Sequence, residues 1–260
     1  LLGESVTVRT IGGVHEHPDA GSYVIFANRE LLALDAGYPG FPQHDLVNKA
    51  KNHSVVLVDG FGPDSDARLS DFFQTEMFDF ASVTMRYGGA AITRNILFVN
   101  KQYFIIIDQL KSDTPREYSL FIHGNAGGTI SNTSFSKTAH GGIWTRSAAY
   151  LKAMVFSDRG TPAFEYIEDH HSIMFAGDNP LPKHAVIKVQ QSASNLRFIT
   201  LLCPVTTGGP APVAEPITAK SGMGIKIVQS NSLPGYCIVR GDSSLAKIKI
   251  EAMGSNQVVT

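Results

Sequence analysis

Histidine and aspartate side chains occur at the ends of apolar runs in the first quarter of the chain. His17 precedes one such run, Asp35 ends a second, and His53 opens a third. Two imidazoles and one carboxylate are common zinc ligands, with the fourth position left to water or substrate. Because three strands would each deliver one ligand at an end, the pattern predicts a metal site formed by His17, Asp35 and His53.

A second histidine, His15, is separated from His17 by a single residue. In an extended segment both side chains point to the same face, since side chains alternate with a period of two. Both imidazoles could therefore bind one metal, or one could bind while the other stays free to work beside it. An isolated His-x-His in a glycine-rich segment is more often a solvated turn, but the presence of Asp35 and His53 favours the ligand interpretation.

The remaining sequence has the pattern of strands. Segment 67–80 fits a helical stripe in part, but a β pattern continues directly after it, so we predict a strand there. Glycine-rich and other turn signals separate the apolar runs. We expect an all-β fold, a large antiparallel β-sandwich with few or no helices, in one domain over residues 1–260. Alternating or β-branched runs lie at 118–122, 185–189, 224–228 and 246–250.

Composition narrows the possible functions. The 43% hydrophobic and 17% charged residues are typical of a soluble globular protein, and a net charge of −1 provides no general attraction for nucleic acid. No apolar run approaches the length of a membrane span. The two cysteines, Cys203 and Cys237, lie in apolar surroundings that suit either free thiols or a disulfide. The first residue is not methionine and no leader is visible, so we expect a mature piece or an excised domain.

Two segments resemble a known family. The sequences HEHPDAGSYVIFANRELLALDAG, at 15–37, and KNHSVVLVDG, at 51–60, resemble the C-terminal β-sandwich of the heparinase II/III-like polysaccharide lyases. The likeness continues through 91–99 and 103–108 and then fades. It covers roughly the first half of the chain, and the blocks are fairly specific when they are taken together.

The resemblance implies β-elimination of an acidic, uronate-containing polysaccharide. This reaction removes the proton next to the uronate carboxylate and expels the glycosidic oxygen from the neighbouring carbon. His15 would serve as the catalytic acid or base, since the pKa of imidazole lies near neutrality. A single zinc at His17, Asp35 and His53 would be mainly structural and would stiffen the loop that aims His15.

Other positions also receive roles in this interpretation. Glu16 or Asp19 would accept a hydrogen bond from the second ring nitrogen of a metal-bound histidine and so orient it, and the resemblance favours Asp19. Tyr38, Arg94 and His123 would line the substrate cleft. For His123, a hydrogen-bonded place in the core is the alternative, and for Arg94 the alternative is a solvated strand face.

In the family, most other catalytic groups come from an α-helical toroid domain N-terminal to the sandwich, and this sequence has no such domain. We therefore expect the sandwich of a lyase-like protein, periplasmic or secreted, that is inactive without the missing helical domain and binds acidic polysaccharide or oligosaccharide. Two other classes stay open. One is a non-catalytic carbohydrate-binding or structural module. The other is a glycoside hydrolase that uses the carboxylates of Glu16, Asp19 and Asp35.

Overall fold

The computed structural model describes residues 17–172, 180–219, 222–229, 235–240, 248–252 and 255–258. Within these ranges the only helices are two short 3-10 helices, Phe41–Leu46 and Ala50–Asn52. None has the length and apolar character of a membrane span. The strands are β1 Ile25–Ala27, β2 Glu30–Ala33, β3 Val56–Val58, β4 Arg68–Gln74, β5 Phe78–Tyr87, β6 Ala90–Val99, β7 Tyr103–His123, β8 Ser134–Thr138, β9 Gly141–Thr145, β10 Ala149–Ser157, β11 Ala163–His170, β12 Lys183–Thr206, β13 Val213–Ala219, β14 Gly222–Val228, β15 Gly235–Arg240, β16 Ile248–Ala252 and β17 Ser255–Val258.

A ten-stranded antiparallel sheet forms the centre of the protein. Its order is β4-β5-β6-β7-β12-β10-β9-β8, with β3 paired to β7 and β11 paired to β12. A five-stranded sheet, β13 to β17, and the β1–β2 hairpin complete the fold. The all-β prediction is therefore confirmed. The strand predicted within 67–80 is confirmed as well, because β4 and the start of β5 occupy it.

Both faces of the large sheet are apolar. Successive residues of a strand point to opposite faces, and in β7 Ile106 joins one buried cluster while Ile105 and Ile107 join another. The segment that carries β1 and β2 packs on the first face through residues such as Leu32. The five-stranded sheet covers the second face through residues such as Ile225. Burial on two sides explains why the strands read as β-branched runs rather than as strict alternation.

The two cysteines lie together in the second cluster. Cys203 comes from β12 of the large sheet and Cys237 from β15 of the small one, and both are buried free thiols. Burial raises the pKa of each thiol to about 12. Of the two states that the sequence left open, the structure has the unpaired one.

A buried arginine connects the sheet to the loops above it. Arg94 of β6 lies directly opposite Asp108 of β7, and its guanidinium donates to both carboxylate oxygens over 2.7 and 3.1 Å. The remaining guanidinium nitrogen, Nη1, donates to the carbonyls of Gly21 and Ser54. Gly21 follows His17 by four residues and Ser54 follows His53 directly. One side chain therefore fixes two of the segments that carry predicted metal ligands.

A chain of three buried histidines supports the same loops from below. The His123 Nε2 donates to the Lys51 carbonyl over 3.0 Å, so its Nδ1 must accept the bond that the His184 Nε2 donates over 2.8 Å. The His184 Nδ1 then accepts from the His171 Nδ1 over 3.1 Å. Because a carbonyl can only accept, Lys51 fixes the tautomer of each ring in turn. The chain ends at the short 3-10 helix that precedes His53.

Replacing Asp108 by Asn should destabilise the fold strongly, because the Arg94 charge would stay buried without its partner. We expect the free energy of unfolding to fall by about 3–5 kcal/mol, measured by urea denaturation. The matched control is Glu165→Gln, which removes the exposed ion pair with Lys188 and should cost less than about 1 kcal/mol. Equal effects of the two substitutions would contradict the central role of the Arg94–Asp108 pair.

The histidine chain should make the metal-free protein sensitive to acid. Burial, followed by the nearby His53, lowers the pKa of His123 to about 3, and burial also holds the pKa of His184 well below its usual value. Between about pH 6.5 and these folded-state values the unfolded chain binds more protons than the folded chain, so stability is full above pH 6.5 and is lost as the pH falls. Each such histidine should contribute a slope of about 1.4 kcal/mol per pH unit in this window.

Urea denaturation with chelator present, at several pH values from 7.5 to 4.5, measures this slope. The His123→Leu variant should show a shallower slope than the wild type, whatever its overall stability. Leu97→Ala, a buried substitution in β6 within the second cluster, should lower stability at every pH and keep the wild-type slope. An unchanged slope in His123→Leu would show that His123 accepts a proton in the folded state as readily as in the unfolded chain.

Candidate metal centre

The side chains of His17, Asp35 and His53 converge on one point. Each offers a ligand atom, and these atoms all lie within 4.8 Å of one another; within the described ranges this is the only such group of histidine, cysteine and acidic side chains. The His53 Nδ1 lies 2.8 Å from the Asp35 Oδ2, and the His17 and His53 rings are 5.2 Å apart between centroids. The three residues singled out in the sequence thus meet in space. All three lie in loops rather than in strands, and His17 is eight residues before β1.

The end of β7 brings Asp35 and His53 together. The Leu34 amide donates to the His123 carbonyl, and two residues earlier in β7 the Phe121 amide donates to the Val55 carbonyl. Residues 121 and 123 present their backbone groups to the same edge of the strand, opposite the edge that pairs with β12. The segments that follow β2 and precede β3 therefore lie one after the other along one edge of β7, which brings the side chains of Asp35 and His53 together.

Local backbone geometry aims the Asp35 carboxylate. The Gly37 amide donates to the Asp35 Oδ1 over 3.0 Å, which leaves the Oδ2 for His53. Gly37 has a φ of +71°, and a Cβ atom there would lie 1.8 Å from the Ser172 carbonyl oxygen. Only glycine fits this turn, both for its backbone conformation and for lack of space.

His53 is fully buried and held by its neighbours. It directly follows the 3-10 helix Ala50–Asn52, whose Asn52 amide donates to the Asp169 carboxylate over 2.7 Å. With one ring nitrogen on Asp35, the other, Nε2, is buried without a hydrogen-bond partner among the described residues. A buried polar atom left unpaired costs about 1–3 kcal/mol, so the ring keeps capacity for a further ligand.

Electrostatics place two of the three groups, His17 and Asp35, in the protonation states that a metal needs. Burial, and after it the charge of His53, lowers the pKa of His17 to about 4. For Asp35, burial acts to raise the pKa, but the hydrogen bond from His53 and the other nearby donors outweigh it and the pKa is lowered. At neutral pH, His17 is therefore a neutral imidazole and Asp35 an anion. Metal ligands must be deprotonated in this way.

This donor set fits a divalent cation of the zinc type. Two ring nitrogens and one carboxylate oxygen match the ligands that zinc takes in proteins, and the incompletely paired His53 ring agrees with a missing ligand. Three protein ligands would leave one of the four usual zinc positions to another group. His17, Asp35 and His53 would hold the ion and thereby tie three separate segments of chain together.

The other predicted residues have different surroundings. His15 and Glu16 lie outside the described residues. Asp19 is two residues beyond His17, and its backbone carbonyl accepts from the Ser22 amide; its role as an orienting acceptor stays a prediction. Tyr38 lies beside the trio, with its ring 6.1 Å from that of His17.

Two residues expected in the cleft are buried instead. Arg94 is 1% exposed, and His123 is fully buried. The guanidinium of Arg94 is used by Asp108 and two carbonyls, and both ring nitrogens of His123 are hydrogen-bonded. Neither side chain faces solvent where a sugar could reach it, which corrects the cleft-lining role. For His123, the hydrogen-bonded core alternative describes its position.

The sequence interpretation gave no role to a further histidine of this site, His44. Its Nε2 lies 3.0 Å from the Nε2 of His17, and its ring stands 4.7 Å from that of Tyr38. His44 belongs to the 3-10 helix Phe41–Leu46 between β2 and β3, so it does not end an apolar run. Its spacing from Asp35, nine residues, gives no strand or α-helix period that would have connected the two.

Solved structures with a similar fold are polysaccharide lyases of the heparinase type. A mutant of the heparan sulfate lyase HepC from Pedobacter heparinus is 18% identical with a TM-score of 0.74, over 90% of this chain and 38% of that one. A crystal structure of heparinase III is 14% identical with a TM-score of 0.71, over 85% of this chain and 36% of that one. The chain thus spans well under half the length of these structures.

Sequence comparison identifies the family directly. No curated protein matches the chain. The family model described as "Heparinase II/III-like, C-terminal" matches residues 6–199, which is most of the sequence and contains the whole candidate metal centre. The chain therefore belongs to the heparinase II/III-like family, as its C-terminal β-sandwich domain.

Proposed function

We propose that this domain contributes a zinc-stabilised loop and a catalytic histidine, His15, to β-elimination of an acidic polysaccharide. The observation that carries the proposal is the convergence of His17, Asp35 and His53 in a domain of this family. A structurally similar protein is a heparan sulfate lyase, and by that analogy the substrate is a polymer that contains uronate.

In this mechanism the metal acts through the backbone. When bound, zinc supplies a rigid link between segments that are far apart in sequence. His17 would be held at this link, and His15, two residues before it, would be aimed by the same segment. A fixed position for the acid or base is needed because proton transfer requires hydrogen-bond reach to the substrate.

His15 would handle the proton in the elimination. As a base it would take the proton on the carbon next to the uronate carboxylate; the electron pair of that C–H bond forms the new C=C bond as the glycosidic C–O bond breaks. As an acid it would instead give a proton to the departing oxygen. In either role a neutral-range imidazole pKa suits the task.

The proposal includes a partner and a place of action. The similar structures are more than twice the length of this chain, and we propose that a helical domain of the kind found in the family supplies the remaining catalytic groups. The sandwich alone would then be inactive. A periplasmic or secreted location is part of the same proposal and rests on the proposed polysaccharide substrate.

A second candidate function is a non-catalytic carbohydrate-binding module. A cleft of about 490 Å³ away from the metal centre is lined by Phe98 and Phe104, whose stacked rings are 4.3 Å apart, and by exposed Phe26. Lys101 lies over the Phe98 ring, but its ammonium is paired with the Asp79 carboxylate. The flat aromatic surfaces are suited to binding a sugar without cleaving it.

Protein purified without chelator should contain about one zinc per chain by elemental analysis. Removing the metal should lower the melting temperature by roughly 10 °C, since an ion present at 1,000 times its dissociation constant contributes about 4 kcal/mol. His17→Ala and Asp35→Ala should abolish this metal-dependent difference. His140→Ala, on the β8–β9 side of the sheet, is the control and should retain it. Protein that contains no metal and gains no stability from added zinc would contradict the proposed centre.

Activity should be tested in the full-length protein, with uronate polymers as substrate. Elimination creates an unsaturated sugar end that absorbs ultraviolet light, and His15→Ala should slow its formation by about 10²–10⁴-fold while the melting temperature and zinc content stay unchanged. New reducing ends without this absorbance would indicate a glycoside hydrolase instead. Retention of the polymer without any cleavage would favour the binding module, and full activity of His15→Ala would remove the catalytic role of His15.

A further inference from the structure

His44 is the imidazole that completes the surroundings of the metal centre. Its Nε2 lies 3.0 Å from the Nε2 of His17. Two nitrogens bound to one tetrahedral zinc, with bonds of about 2.0–2.1 Å, lie about 3.3 Å apart. The His17–His44 pair is therefore close to the spacing of adjacent ligands.

We propose that His44 is the fourth protein ligand of the cation held by His17, Asp35 and His53. This inference rests on the proposed metal centre and defines its coordination. With four protein ligands the ion has no open position for water or sugar, which is the arrangement of structural rather than catalytic zinc sites. The proposal thus assigns the ion a purely structural role.

The hydrogen bonds of His44 define its state before the cation binds. The Asn48 side-chain amide lies 3.4 Å from the His44 Nδ1 and, as a donor there, leaves the ring proton on Nε2. That proton is then donated to the lone pair of the His17 Nε2. This proton lies between the Nε2 atoms of His17 and His44, to which the cation would bind.

Binding of the cation needs only one proton to change position. The proton on the His44 Nε2 moves to its Nδ1 by exchange with solvent, so both Nε2 lone pairs become available to the ion. The Asn48 amide turns over and its carbonyl oxygen accepts from the Nδ1. Metal-bound histidines commonly donate their second ring nitrogen to such an acceptor, and Asn48 is four residues from His44 and in contact with it.

His44 is placed to make the small movement that coordination requires. Among the described residues, only the trio has ligand atoms that are all within 4.8 Å of one another, so the His44 ring must turn inward. It is half-buried, on the 3-10 helix Phe41–Leu46, and the Tyr38 ring stands 4.7 Å from it. On binding, the cation would take the place of the hydrogen bond between the two Nε2 atoms and would bond to the Nε2 of His17 and to that of His44.

Cobalt binding to the metal-free full chain tests this coordination. Co²⁺ takes the place of zinc and its visible absorption depends on the number and type of ligands. The wild type should bind one Co²⁺ with the spectrum of a four-coordinate site. His44→Ala should weaken binding by about 100-fold or more and shift the spectrum, because water replaces a nitrogen. Asn48→Leu should weaken binding by about 10-fold.

Controls separate coordination from folding. His140→Ala should match the wild type in affinity and spectrum, and the melting temperature of each variant without metal should match that of the metal-free wild type. If His44→Ala does not fold, His44→Gln provides the same measurement with a side chain of similar size. Wild-type affinity and an unchanged spectrum in the His44 variant would overturn this inference alone. A wild-type chain that binds neither Co²⁺ nor zinc would overturn the proposed metal centre with it.

Discussion

The buried charge of Arg94 is the constraint on which the site depends. A guanidinium in the core is tolerated only when its donors are paired, and here Asp108 takes two of the bonds while the carbonyls of Gly21 and Ser54 take the rest. The pairing requirement therefore acts on the loops as well as on the sheet. The segments after His17 and after His53 must come to the same place if the arginine is to be satisfied.

The histidine chain positions the segment before His53 in the same way, because its buried polar atoms also need hydrogen-bond partners on the backbone. Its direction is fixed at the Lys51 carbonyl, and its interior members are buried and held neutral. Polar groups in the interior of this domain thus hold the backbone from which the candidate ligands project. The metal centre itself would add a third link between the same segments. Such redundancy is consistent with a site whose precise geometry matters to its function.

The sequence was most informative where a local pattern is enough to predict a structural property. Strand periodicity predicted the all-β class, and the ligand types at strand ends predicted the trio of His17, Asp35 and His53. Prediction from the sequence failed where contacts between distant parts of the chain determine the position of a side chain. Arg94 and Asp108 face each other only through the register of β6 and β7, which cannot be read from either strand alone, so Arg94 was assigned to a cleft rather than to the core.

His44 was missed for a related reason. A histidine within a short 3-10 helix carries no periodic signal, and only the path of the chain between β2 and β3 places it beside His17. His123 shows the opposite case, since its position at the end of a strand suits a cleft and a core role equally. Only the burial of its side chain, which cannot be read from the sequence, distinguishes the core role from the cleft role.

The two cysteines give the domain an internal reporter of its own opening. Cys203 and Cys237 belong to different sheets and are hidden between them, with few thiolates at neutral pH because of their raised pKa values. A thiol reagent can reach them only when the layers part or the chain unfolds. Their labelling rate under native conditions therefore registers how often the five-stranded sheet lifts away from the ten-stranded one, without any engineered residue.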